Sequence, residues 1–121
     1  MKWLGALCLF ILPTLGQALS LPSATTYRVD LTWDAPVSSP DPVVSYDIYR
    51  SVGTGDFQLL SSPQGLNTTY TDASQLEYSM IYKYYVESVD VEGVTSIPSN
   101  IVSVPIPFVP YAVVLGTIQS I

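Results

Sequence analysis

The sequence predicts an all-β sandwich, and three features of the chain carry that prediction. Apolar and polar residues alternate with the period of a strand that has one buried face, as in VDLTWD at residues 29–34. The alternating segments are short, and prolines and glycines separate them. After residue 18, no segment shows the 3.6-residue period of an amphipathic helix. Short strands between frequent turns are typical of two antiparallel sheets packed face to face, with about seven strands in all.

The first eighteen of the 121 residues have the pattern of a secretory signal peptide. Lys2 supplies the positive start, residues 3–12 form an apolar run, and Gly16 and Ala18 are small residues at the two recognition positions. We therefore expect cleavage after Ala18 and a mature protein that is secreted or held at the cell surface. The apolar run is short for a bilayer span of about 20 residues, and an uncleaved anchor is the alternative. No membrane span is expected in the mature chain.

The composition of the mature chain argues against several classes of function. Loss of Lys2 changes the formal charge from −6 to −7, and the remaining 103 residues contain no cysteine and no histidine. One modest core without disulfides must hold the domain together. Three basic residues cannot form the patch that nucleic acid requires, so no nucleic-acid partner is expected. Without histidine or cysteine, the commonest bases, nucleophiles and metal ligands are absent, and we expect neither catalysis nor a cofactor or metal.

The acidic residues are interpreted as solubilising groups rather than as a catalytic pair or a calcium site. A glycosidase needs two carboxylates at a set separation across a cleft, and calcium needs about six oxygen ligands. The acids lie instead at strand ends and on loops, where side chains in soluble domains mostly face solvent. The residues concerned are Asp34, Asp41, Asp56, Asp90 and Glu92.

An ordered set of short segments resembles a fibronectin type III domain over residues 28–106, in the version found in bacterial secreted and cell-surface proteins. The segments are LTWDAP, YDIYRS, TTYTD, YKYYVESVD and SNIVSV. The resemblance implies an immunoglobulin-like sandwich over residues 19–107, followed by a tail over residues 108–121. It places strand B at 29–34, C at 45–50, C′ at 57–61, E at 68–72, F at 82–90 and G at 100–105.

The resemblance also implies roles for four residues of the core and corner. Trp33 would be the core tryptophan of strand B, and Tyr46 the core aromatic residue of strand C. Leu76 and Tyr82 would form the corner between strands E and F, with the Tyr82 hydroxyl bonded to upstream backbone. The sequence departs from the family in a weak strand A within residues 19–28, and in the lack of the usual proline before the corner tyrosine.

One pair of tyrosines is predicted to face solvent on neighbouring strands. Strand period separates Lys83 and Tyr85 from Tyr82 and Tyr84 on strand F. The resemblance makes the Tyr82 face the core, so it implies that Lys83 and Tyr85, and Tyr49 of strand C, face outward. Because strands C and F are neighbours in this family, Tyr49 and Tyr85 would lie close together, with Lys83 and Ile101 nearby. We interpret them as a candidate binding patch for a protein or glycan of unknown identity. The alternative is a cross-strand pair that only stabilises the sheet.

The function that the resemblance implies is a secreted, non-catalytic module: a spacer, an adhesion domain or a protein- or glycan-binding domain. The alternative is an accessory module or fragment of an extracellular carbohydrate-active enzyme system. The chain contains no Arg-Gly-Asp tripeptide, so integrin-type adhesion has no support. Asn67 begins the pattern Asn-Thr-Thr, an N-glycosylation acceptor in organisms that glycosylate.

The tail is apolar and rich in β-forming residues after Pro110. Three interpretations are open for it. It folds back onto the sandwich, it pairs with another chain as an added strand, or it belongs to a linker towards a further domain.

Overall fold

The computed structural model describes residues 7–15 as backbone and residues 25–108 as the body of the domain, in which all regular elements are strands. Within these ranges there is no helix of the length and hydropathy needed to cross a membrane. The strands are β1 (Leu7–Leu15), β2 (Thr25–Trp33), β3 (Val43–Val52), β4 (Gln58–Ser61), β5 (Thr69–Asp72), β6 (Ile81–Asp90) and β7 (Val102–Pro105). They form two antiparallel sheets, ordered β1-β2-β5 and β4-β3-β6-β7, which confirms the predicted all-β sandwich.

The core lies between the sheets and consists of the inward residues of each alternating strand. Trp33 of β2 and Tyr46 of β3 pack edge to face, with ring centroids 5.4 Å apart. Leu31, Ile48 and Val86 are fully buried. Burial of each such aliphatic side chain stabilises the fold by about 1.5–3 kcal/mol, so the packed sheets need no disulfide.

The strands that follow the first edge strand match the predicted strands B to G, with shifted ends. The largest shift is at β2, which begins at Thr25 rather than at residue 29. Residues 25–28, which the prediction included in a weak strand A within residues 19–28, belong to β2 instead. The alternation of VDLTWD continues backwards through Tyr27, which packs against the core, so these residues extend β2.

The edge position beside β2 is filled by β1. Leu7 pairs with Trp33 and Leu15 with Thr25, in an antiparallel register that spans all nine residues of both strands. This segment includes most of the apolar run predicted to be the centre of a signal peptide. Cleavage after Ala18 would remove β1 and open the edge of β2. The cleavage site and the tail after Phe108 lie outside the described residues, so both stay predictions.

The corner between β5 and β6 links the two sheets. The Tyr82 hydroxyl accepts a hydrogen bond from the backbone N–H of Glu77 at 2.9 Å, and Leu76 beside it is buried. Ser79 has a φ of 63°, and its N–H donates to the carbonyl of Ile106. A left-handed residue thus turns the chain where the family usually has a proline, and its hydrogen bond ties the end of β7 to the corner.

Candidate functional site

The register between β3 and β6 brings the two outward tyrosines together. Tyr49 and Tyr85 are direct partners across the strands, and both rings are partly exposed on the outer face of the four-stranded sheet. Their ring centroids are 4.7 Å apart and their planes are inclined by only 7°. The two side chains therefore form a stacked pair that stands on the sheet.

Two further apolar side chains enlarge this pair. Phe57, immediately before β4, directs its ring at Tyr85 with centroids 4.8 Å apart and planes inclined by 67°. Leu59 of β4 is the register partner of Tyr49 and is 54% exposed. Together, Tyr49, Phe57, Leu59 and Tyr85 are called the outer patch below. Strand C′ was predicted at residues 57–61, but neither Phe57 nor Leu59 was assigned to the patch, because only the pairing of β4 with β3 places them beside the tyrosines.

Lys83 lies at one end of the outer patch. Its register partners are Ser51 and Ser103, and it points to the same face as Tyr85. Residues two apart on a strand are separated by about 7 Å, so an extended ligand that covers the tyrosines can reach this ammonium group. Ile101 precedes β7 and is 55% exposed.

Two carboxylates that sequence reasoning had not assigned to the patch lie at its other end. Asp47 and Glu87 are register partners on the outer face, one step along the strands from the tyrosine pair. Burial raises the pKa of Glu87, and the charge of Asp47 raises it further against a hydrogen bond from Thr95. Burial followed by the negative charges of Glu87 and Asp47 raises the pKa of the Tyr49 hydroxyl. The charges of the acidic pair therefore act on the hydroxyl of the neighbouring tyrosine.

A second polar group joins the two sheets inside the domain. Asp72 of β5 is 1% exposed and accepts hydrogen bonds from Arg50 of β3 at 2.9 Å and from the Tyr84 hydroxyl of β6 at 2.6 Å. Its other oxygen accepts bonds from the N–H and hydroxyl of Ser74. Burial alone would raise the pKa of Asp72, but the hydrogen bonds from Ser74, Tyr84 and Arg50 hold it below its ordinary value. Burial and the carboxylate of Asp72 raise the pKa of Tyr84.

Asp90 corrects the prediction that the strand-end and loop acids are all solvent-facing. Its side chain is 3% exposed, and one carboxylate oxygen accepts the N–H groups of Glu92 and Val94 at 2.9 Å each. The carboxylate thus orders the turn after β6. Across the described ranges, no three histidine, cysteine, aspartate or glutamate residues are grouped to hold a metal ion.

The remaining predicted site residue is Asn67, which is exposed just before β5. Its side-chain oxygen accepts a hydrogen bond from the Thr69 hydroxyl at 3.1 Å. Glycosylation at this position stays a prediction.

A cleft of about 760 Å³ lies on the other sheet, between the start of β2 and the loop after β5. Tyr27 and Tyr78 form an edge-to-face pair in its wall, 6.0 Å apart. Arg28, also in the wall, is paired with Asp30 at 3.4 Å. The charge of Arg28 is thus partly balanced within the domain, and the outer patch has the stronger concentration of aromatic and charged side chains.

Solved structures with the same architecture place the chain among known folds. A fibronectin type III domain of human fibronectin type III domain containing protein 3 matches with a TM-score of 0.54 and 25% identity, covering 86% of this chain and 85% of that domain. A pectate lyase from Erwinia chrysanthemi, solved with tetragalacturonic acid, matches with a TM-score of 0.56 and 18% identity over 82% of this chain. A β-1,2-glucanase from Parabacteroides distasonis matches with a TM-score of 0.54 and 26% identity over 76% of this chain.

The two enzymes are much longer than the part that this chain matches. The chain spans 27% of the pectate lyase and 12% of the glucanase. No protein-family model and no curated protein matches the sequence. The structural match over 85% of the human domain shows that this chain, with its two antiparallel sheets, has the fold of a fibronectin type III-like domain.

Proposed function

We propose that this chain is a non-catalytic binding module that acts outside the cytoplasm, and that the outer patch is its contact surface for a protein or glycan. The observation that carries the proposal is the stacked pair of Tyr49 and Tyr85, enlarged by Phe57 and Leu59. Aromatic side chains with a polar end are enriched at interfaces because they bury a large area while the hydroxyl keeps a hydrogen-bond partner.

The position of the patch supports this use. The core residues of β3 and β6 already hold the sheet, since Ile48 and Val86 are fully buried on the opposite face. The outer rings stack without a covering element among the described residues of the four-stranded sheet. Such a pair contributes only roughly 0.2–1 kcal/mol to a sheet, which leaves room for a contact role of the four clustered side chains beside a stabilising one.

A second candidate function is an accessory module of an extracellular carbohydrate-active enzyme system. The observation that favours it is that two of the structures with the same fold are carbohydrate-active enzymes, in each of which a comparable module makes up a minor part of the chain. In this role the outer patch would hold a polysaccharide, or would pack against a catalytic domain.

A binding screen against immobilised glycans and purified surface proteins tests the proposal. The Y49S/Y85S variant removes the stacked pair, whereas Y27S/Y78S removes the aromatic pair at the cleft on the other sheet. Because Tyr27 and Tyr78 pack against the core, Y27S/Y78S serves as the control at a temperature where circular dichroism shows both variants folded. We expect a ligand that the unmodified protein and the control retain and that Y49S/Y85S does not bind. A ligand retained equally by both variants would refute a contact role for the outer patch.

A further inference from the structure

We propose that the partner segment at the outer patch is cationic, with an arginine side chain that packs beside the tyrosine stack and is paired by Asp47 and Glu87. This inference rests on the proposed function, because it names the chemistry of the ligand that the same surface binds. It goes further by assigning two carboxylates to the site and by selecting a basic peptide over a neutral glycan.

The first step is the placement of the carboxylates. Asp47 and Glu87 face each other across β3 and β6, and Tyr49 and Tyr85 form the next outward pair along the same two strands. The separation between successive outward pairs is about 7 Å. An arginine side chain can span this distance, because its guanidinium N–H groups donate hydrogen bonds to the carboxylates while its methylene groups pack against the neighbouring tyrosine rings.

The second step is the cost of this arrangement in the free protein. Like charges directly opposite each other destabilise an antiparallel pair, and the raised pKa of Glu87 reflects burial together with the charge of Asp47. A bound cation would relieve that repulsion. Sheet stability alone would favour a neutral or oppositely charged pair at these positions.

The third step is that no cation of the domain fills this role among the described residues. The ion pairs found there join Arg28 to Asp30 and Arg50 to Asp72. Asp47 accepts a hydrogen bond from the Ser62 hydroxyl, which is neutral. Lys83 is four residues from Glu87 along β6, about 13 Å at the rise of a strand, and lies beyond the tyrosines.

The fourth step is the charge of the whole chain. The formal net charge is −6, so a basic partner is attracted over a longer range than the contact itself. Lys83 at the far end of the patch would set the orientation of the bound segment. A segment with an arginine at one end and an acidic group about four residues away would pair with the carboxylates at one end of the patch and with Lys83 at the other. The occupant is therefore a basic protein segment rather than a neutral saccharide.

Chemical-shift titration of the full-length protein by nuclear magnetic resonance tests this proposal. The probe is the blocked peptide acetyl-Gly-Arg-Gly-amide, and its comparison is the same peptide with citrulline, which keeps the planar shape and lacks the charge. We expect saturable shifts confined to the amides around Asp47, Tyr49, Tyr85 and Glu87. The D47N/E87Q variant should weaken binding by roughly threefold or more, the size expected for loss of exposed ion pairs.

Two controls separate this inference from the proposed function. The E77Q/E92Q variant makes the same change in net charge at exposed carboxylates outside the outer patch, and it should bind the arginine peptide as the unmodified protein does. D47N/E87Q should also melt at the same or a higher temperature, so weaker binding cannot arise from unfolding.

Each other outcome overturns a defined part of the account. Equal binding of the arginine and citrulline peptides, or equal weakening by both acid variants, would refute the assigned cation site and leave the outer patch as a neutral surface. Binding of a neutral oligosaccharide, abolished by Y49S/Y85S while the arginine peptide causes no shifts, would refute the inference and support the proposed function. Shifts from no probe would refute the inference, and the wider screen would then decide the proposed function.

Discussion

Replacement of Asp72 by alanine tests how the two sheets are held together. The carboxylate is 1% exposed and accepts bonds from Arg50, Tyr84 and Ser74, so it links β5 of one sheet to β3 and β6 of the other. The D72A variant would leave the hydroxyl of Tyr84, a fully buried residue, without its partner, at a cost of about 1–3 kcal/mol. It would also leave the Arg50 guanidinium without its carboxylate, beside the Ser74 hydroxyl and the ring of Tyr82.

The loss of stability from the unpaired Arg50 charge is limited because the side chain is partly exposed. Breaking a buried ion pair from one side costs about 3–5 kcal/mol, but 23% of the Arg50 side chain is exposed and water can solvate part of its charge. We therefore expect D72A to lower the free energy of unfolding by about 3–4 kcal/mol. At roughly 4–8 °C per kcal/mol for a domain of this size, the melting temperature should fall by at least about 12 °C.

Urea denaturation followed by tryptophan fluorescence measures this effect, with Y84F as the matched control. Y84F removes one hydrogen bond and leaves Asp72 paired with Arg50 and Ser74, so it should cost only about 0.5–1.5 kcal/mol. If D72A cost no more than Y84F, the carboxylate would not be the link between the sheets, and the reasoning would be refuted.

The stability difference between the unmodified protein and D72A should depend on pH in one direction. The folded pKa of Asp72 lies below the ordinary value of 3.8, so its contribution is fully present above about pH 4 and is lost as pH falls through the lower folded pKa. The stability difference between the unmodified protein and D72A should therefore shrink below pH 3.8. A difference that stays constant through this range would contradict the assigned cause.

Three further predictions follow from other parts of the fold. Y82F removes the hydroxyl that accepts the Glu77 N–H and should lower the free energy of unfolding by about 1 kcal/mol in urea denaturation; an unchanged midpoint would contradict a structural role for this bond. Glu87 has a raised pKa, so its ionisation should reduce stability as pH rises from the ordinary value of 4.5 through the folded pKa. The E87Q variant should lose this decrease, and an unaltered pH profile would count against the like-charge pair. A chain that begins at Leu19 lacks β1, and the β2 amides should exchange hydrogen faster than in the full chain; equal protection would mean that another segment covers the edge.

Strand period, together with the resemblance to fibronectin type III domains, predicted the core and the outward tyrosine pair. Val29, Leu31 and Trp33 alternate with polar residues, and one buried face dictates which of them point inward. The same period gives Tyr49 and Tyr85 one outer face, and the resemblance makes their strands neighbours, so their closeness could be anticipated; the direct register between them is seen only in the structure.

Two features could not be predicted in the same way because they depend on pairing between distant segments. Arg50 has the inward parity of Ile48, but a charged residue at that position is interpretable only once Asp72 is known to lie opposite it. By composition, the apolar run at the N-terminus fits both a signal peptide and an edge strand. Only its pairing with β2 shows that it can form the edge strand.

The acidic pair was missed for a related reason. Asp47 and Glu87 belong to separate strands and each resembles an ordinary solubilising residue when read alone. Only the register, which sets them opposite each other beside the tyrosine stack, turns two surface acids into one candidate site for a cation.

The central claim is that the outer patch binds a partner rather than only stabilising its sheet, and the most direct test measures affinity and stability together in Y49S/Y85S. The ligand is the strongest binder from the screen, and the assays are calorimetric titration and thermal melting. The account predicts a loss of affinity of about tenfold or more in a variant that remains folded at the titration temperature, since aromatic contacts dominate binding at such surfaces. A variant with a lower melting temperature and unchanged affinity would contradict the account and assign the tyrosine pair to the sheet alone.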